Sequence, residues 1–182
     1  MNSNGSARFH FEQRAATVLF KIITSPILSG PFLLPANICP IVPLVFLKAG
    51  RSFEFIDICP RTLCLDHEAV MARWRRPGTP PAGIVYARSY GAVFKTDQIF
   101  SEIKSLSPQA LIIDDRCLCP PDFNNIICDH TDAVLYSTGY AKYVDIGFGG
   151  FGLLRYKTPY KDTQHSFNPQ ALKELTKKYK SC

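Results

Sequence analysis

Four short, uninterrupted apolar runs constrain this chain most: Phe32-Leu33-Leu34, Ile84-Val85-Tyr86, Leu111-Ile112-Ile113 and Ala133-Val134-Leu135-Tyr136. A strand that is apolar on both faces must be covered on both faces, which is the habit of parallel sheets. Segments of helical spacing separate the runs. Glu12 to Ile23 puts Ala16, Leu19, Phe20 and Ile23 on one face, and Ile41 to Ala49 stops at Gly50. Asp66 to Trp74 opens on a residue suited to an N-cap, and a further helix runs from about Asp97 to Leu106. Ser52 to Ile58 and the end of Gly149 to Arg155 read as two more strands. Strands alternating with helices predict an α/β three-layer sandwich, a mostly parallel sheet with helices on both faces.

Composition narrows the class. With 46% hydrophobic and 20% charged residues over 182 positions, the chain is too apolar to be disordered and long enough to bury a core. Lys21, Pro26, Pro31, Pro35, Pro40 and Pro43 interrupt the apolar first quarter, so no run reaches membrane-spanning length. Met1 to Glu12 lacks the basic start and apolar stretch of a secretory signal, and the expected location is the cytoplasm. The formal charge is +6, and most of it falls late: from Arg155 onward there are seven bases against Asp162 and Glu174. No aromatic stripe or nucleic-acid-binding motif accompanies those lysines, so they read as a solvated, partly helical tail over 157–182 behind a domain of 10–156. Nucleic acid is not an expected partner. Seven cysteines, with Cys117 and Cys119 as the one tight pair, fit reduced and mostly buried thiols better than a disulfide scaffold or a zinc site.

In sheets of this kind ligands sit beyond the carboxyl ends of the strands. Those positions are Asn37, Arg88 to Gly91, Asp114-Asp115 and Ser137 to Lys142. An apolar strand ending in two carboxylates can hold a cation, a ribose hydroxyl or a protonated ring nitrogen, or can simply cap a helix. Tyr136-Ser137-Thr138-Gly139-Tyr140-Ala141-Lys142, followed by Gly147-Phe148-Gly149-Gly150, sets hydroxyls and glycines around a lysine. An apolar, glycine-rich setting can desolvate an amine and prepare it for attack on a carbonyl.

An aspartate at one strand end and Ser-x-x-x-x-Lys at a later one resemble the fold type I pyridoxal-phosphate enzymes, and in particular the DegT/DnrJ/EryC1/StrS group of sugar aminotransferases. The resemblance runs from about Arg14 to Leu154. It includes Phe32 to Asn37, Phe53 to Ile58, the aromatic-Gly pair Tyr90-Gly91 and the turn Gly147-x-Gly149-Gly150. It implies that Asp115 meets the pyridine nitrogen of pyridoxal 5'-phosphate, that Ser137 binds the phosphate, and that Lys142 holds the cofactor covalently. Gln13-Arg14-Ala15-Ala16 would stand for the N-terminal phosphate loop, with Arg14 and Ala15 as cofactor contacts. The implied activity is amino transfer to a nucleotide-linked keto-sugar from an amino donor, in a homodimer or with a partner chain.

The sequence also departs from that pattern. Leu118 stands where the family commonly has Gln or His, Arg88 stands near a position that often holds His, and Phe148 replaces the acid of the Gly-Glu-Gly-Gly turn. The family's chains are roughly twice this long, which implies the large domain without the small C-terminal one. The alternative is a non-catalytic remnant or binding subunit of the same fold. A dinucleotide or Walker site is disfavoured, because no glycine-rich phosphate loop follows the first strand.

Overall fold

A computed structural model describes residues 7–24, 29–121 and 128–162. Seven strands form one sheet: β1 (Ala7–Glu12), β2 (Phe32–Pro35), β3 (Phe53–Ile56), β4 (Gly83–Ala87), β5 (Leu111–Asp115), β6 (Ala133–Ser137) and β7 (Gly150–Arg155). Their order across the sheet is β1-β7-β6-β5-β4-β2-β3. From β6 to β3 every pairing is parallel, whereas β7 runs antiparallel to both β6 and β1. Among the described residues the α-helices are α1 (Ala15–Ile23), α2 (Ile41–Lys48), α3 (His67–Arg75) and α4 (Asp97–Leu106). Among the described residues no helix is long and apolar enough to cross a membrane.

The apolar runs are buried on both sides, as their composition requires. On one face Phe32, Leu34, Val85, Ile113 and Leu135 pack against Val18, Leu19 and Ile22 of α1 and Val45 and Phe46 of α2. On the other, Leu33, Ile84 and Ile112 pack against Val70, Met71 and Trp74 of α3 and Phe100 and Ile103 of α4. Strand alternation sends neighbouring residues into these two separate cores. Asp66 caps α3, its carboxylate accepting the Ala69 N–H at 2.9 Å.

The first strand is the main departure from the sequence reading. The helix expected from Glu12 begins at Ala15, and residues 7–12 pair instead with β7, Ala7 opposite Arg155 and Glu12 opposite Gly150. An edge strand needs only one partner, and this partner lies more than a hundred residues along the chain, so no local periodicity marks it. Beyond β7 the chain folds back on the sheet. Thr158 Oγ1 donates to Asp132 O at 2.7 Å, Lys161 N–H donates to Lys21 O, and the buried Lys21 ammonium pairs with Glu12 and Asp162. The basic residues from Lys173 onward lie outside the described residues.

Candidate functional site

A cleft of about 450 Å³ opens at the carboxyl ends of β5 and β6, on the α1/α2 face of the sheet. Its walls include Arg14, Ala15, Asp115, Ser137 and Lys142, all five residues expected from the sequence to share a site. The size falls inside the roughly 300–1,000 Å³ typical of small-molecule sites. The five come from well-separated stretches of chain, so the sheet topology, not sequence proximity, assembles them.

The floor comes from β5. Asp114 and Asp115 do not act as a pair, because adjacent strand residues face opposite sides. Asp114 turns away from the cleft and is 1% exposed; it takes Arg88 through two bonds of 2.8 and 2.9 Å and Arg116 through a third of 2.9 Å. Arg88 is thereby committed to the opposite face, where it also donates to Phe94 O and Thr96 Oγ1. Asp115 faces the cleft, and its Oδ1 accepts the Cys117 N–H at 2.9 Å. Burial pushes its carboxyl above the ordinary range, opposed by the Cys117 hydrogen bonds and by the nearby Lys142 ammonium. Burial also pushes the Cys117 thiol well up, and the Asp115 charge adds to the effect.

One wall is the start of α1. Arg14 occupies the N-cap position with extended backbone and no side-chain cap. The Thr17 and Val18 N–H groups both donate to the Arg14 carbonyl, at 3.0 and 3.4 Å. The Ala15 N–H faces the Gly149 carbonyl across the parallel bridge between Arg14 and Gly149, and the Ala16 N–H has no backbone acceptor among the described residues. An uncapped helix start beside an arginine is suited to an anion such as a phosphate. Gly150 makes this approach possible: a Cβ there would come within 2.1 Å of Ala15 N. The opposite wall is Ser137, whose Oγ accepts the Gly139 N–H at 3.4 Å, together with the loop that carries Lys142.

Some expected positions lie elsewhere. Leu118 is 43% exposed and does not line the cleft, nor do Tyr90 and Asn37. Asn37 instead donates to Leu63 O at 2.9 Å and to Ser89 Oγ at 3.3 Å. Cys39, Ile41 and Val42 at the start of α2, and Cys117, line the cleft without having been marked as contacts by sequence pattern. The thiols are less buried than expected: of the six described, Cys64 and Cys119 are buried, Cys39 is exposed and the rest are intermediate.

Solved structures that match this architecture include a putative PLP-dependent aminotransferase from Bacillus cereus and several sugar aminotransferases. The sugar aminotransferase CalS13 from Micromonospora echinospora superposes with a TM-score of 0.66 at 18% identity, covering 80% of this chain and 41% of its own. DesI, solved in the presence of its TDP-sugar product, gives 0.67 at 18% identity, covering 82% and 37%. NtdA from Bacillus subtilis, with bound cofactor PMP, gives 0.65 at 18% identity, covering 81% and 33%. The seven-stranded sheet and its helices match the fold of the α/β large domain of pyridoxal-phosphate aminotransferases. The chain spans well under half the length of these structures. No protein-family model matches the sequence, and no curated protein sequence matches it.

Proposed function

We propose that the cleft binds pyridoxal 5'-phosphate and that the protein is an aminotransferase acting on a nucleotide-linked keto-sugar. The observation that carries this reading is the convergence of Arg14, Ala15, Asp115, Ser137 and Lys142 on one cleft. The donor set suits the cofactor group by group. The Ala16 N–H at the start of α1, the Arg14 guanidinium and the Ser137 hydroxyl would take the phosphate. Asp115 would accept the ring N–H and keep that proton on the ring; the cation would in turn relieve the cost of burying the carboxylate. Lys142 would hold the cofactor through Nζ and, once displaced by an amino substrate, carry a proton on the same atom. When bound, pyridoxal phosphate supplies an electron sink for a carbanion beside the amino nitrogen. The sugar assignment rests on CalS13 and on DesI with its TDP-sugar product.

The rim of the cleft supports a second copy of the chain, or a partner chain, as part of the working protein. Ile41, Leu44 and Leu47 on α2 are 46%, 56% and 65% exposed, and Tyr140, Tyr143, Ile146 and Phe148 stand out from the loop opposite. Apolar rims of this extent mark association surfaces.

Leu118 and Arg88 support the alternative of a non-catalytic binding subunit, because neither puts a polar group into the cleft. Cofactor titration followed by an amino donor separates the two. A band that depends on Lys142 and then shifts on addition of glutamate supports the enzyme. A band that forms but no donor shifts supports the binding subunit, and the absence of any lysine-dependent band removes the cofactor claim and leaves a non-catalytic remnant whose lysine is incidental.

A further inference from the structure

The loop between β6 and β7 carries Lys142, yet none of its residues from Thr138 to Gly149 is buried. Apolar packing therefore does not set its course, and hydrogen bonds must. Those at its base are conventional. Thr138 N–H donates to Gly149 O at 3.2 Å, Ile146 N–H to Thr138 O at 3.0 Å, and Thr138 Oγ1 to Phe148 O at 2.8 Å. They hold residues 138, 146, 148 and 149 together and leave the outer limb, where the lysine sits, untouched.

Asp145 reaches that limb. Its Oδ2 accepts the Ala141 N–H and its Oδ1 accepts the Gly147 N–H, both at 2.9 Å. One carboxylate thus ties the two limbs together, with one tie on the residue immediately before Lys142. Ala141 is itself held at φ +57°, a left-handed conformation that residues with a Cβ avoid unless their surroundings impose it. No other cross-loop bond reaches Ala141 among the described residues. Gly147, at φ +81°, supplies the turn on the other limb without that penalty.

We infer that Asp145 is a positioning residue for Lys142: its carboxylate fixes the left-handed bend at Ala141 and so delivers the lysine amine to the cleft beside Asp115. This rests on the proposed role of Lys142, but its first consequence, the ordering of the loop, does not require the cofactor. Both bonds need a charged, double acceptor. Asparagine has nearly the same shape but one acceptor oxygen, and its amide nitrogen would face an N–H it cannot satisfy.

The test compares the full chain with D145N by amide hydrogen exchange without cofactor and by absorbance titration with pyridoxal phosphate. The expected results are exchange about tenfold or more faster at Ala141 and Gly147, unchanged protection in β5 and β6, and lysine-dependent binding about tenfold weaker. Binding that D145E restores in part separates positioning of the lysine from a general loss of structure. Unchanged exchange at Ala141 and Gly147 overturns the inference, and so does a D145N protein that captures cofactor as tightly as the parent. If the parent captures none, the proposed function fails, while the exchange data still decide whether Asp145 orders the loop.

Discussion

Replacing Gly150 with alanine probes the contact on which the cleft is built. Gly150 opens β7, pairs with Glu12 of β1 on one side and Ser137 of β6 on the other, and lies under the start of α1. A Cβ there would sit 2.1 Å from Ala15 N and 2.7 Å from both Ala15 Cα and the Arg14 carbonyl carbon. These are backbone atoms that cannot rotate aside, so the helix start must retreat by about 1.3 Å to regain an ordinary contact. Overpacking of this kind costs about 1–3 kcal/mol. For a chain of this size each kcal/mol lowers the melting temperature by about 2–4 °C, so a fall of about 2–12 °C is expected. The same displacement moves the start of α1, with the Ala16 N–H and Arg14, out of reach of a phosphate, and the loss of charge-assisted bonds should weaken cofactor capture about tenfold or more. Gly50→Ala is the control. Gly50 has φ +64° with open space around it, so alanine there meets backbone strain of about 1–2 kcal/mol but no clash at the cleft. Differential scanning fluorimetry and cofactor titration read both variants. A Gly150→Ala protein that melts within a degree of the parent and binds cofactor equally well would show that the Gly150–Ala15 contact does not shape the cleft.

Arg88→Met should destabilise the chain by about 3–5 kcal/mol, because it leaves the buried Asp114 with Arg116 as its one ion-pair partner; capture per folded molecule should not change, and a urea melt beside a cofactor titration checks both parts. Asp115→Asn should abolish productive capture while altering cofactor-free stability with a defined sign. Burial raises the Asp115 pKa, so the folded chain binds more protons than the unfolded one, and the parent loses stability as pH rises above the usual carboxylate range. The asparagine variant should escape that loss, so thermal melts at pH 4 and pH 7 should show it gaining on the parent at the higher pH. Iodoacetamide at pH 8 should alkylate Cys59 faster than Cys64 or Cys117, as followed by peptide mass spectrometry. Backbone N–H groups of Arg61 and Thr62 lower the Cys59 thiol pKa, whereas burial raises the other two.

The sheet was legible because its strands announce themselves. Runs such as Leu111 to Ile113 can be buried on both faces only in a covered, mostly parallel sheet, and the helices between them show their own period. The cleft residues were legible through position, since Asp115, Ser137 and Lys142 each follow the end of such a run. The chain start was not. The residues of β1 take their conformation from β7, and the exposed Phe11 and Phe9 stack on each other at 5.9 Å and lean on Phe151 of β7. Arg88 and Asp114 illustrate a second limit. Both sit at strand ends in sequence, but one residue of register separates the cleft face from the opposite core, and only the assembled sheet shows that they neutralise each other away from the site. Asp145 was invisible for a third reason: its role lies in two backbone N–H groups, at Ala141 and Gly147, and backbone donors carry no sequence signature.

The most direct test of the central claim is an absorbance titration of the full chain with pyridoxal phosphate, beside Lys142→Ala, followed by borohydride reduction and peptide mapping. The expected result is a saturable band absent from the variant, with the reduced cofactor on the peptide that contains Lys142. Labelling spread over the surface lysines, or an equal band in the variant, would contradict it.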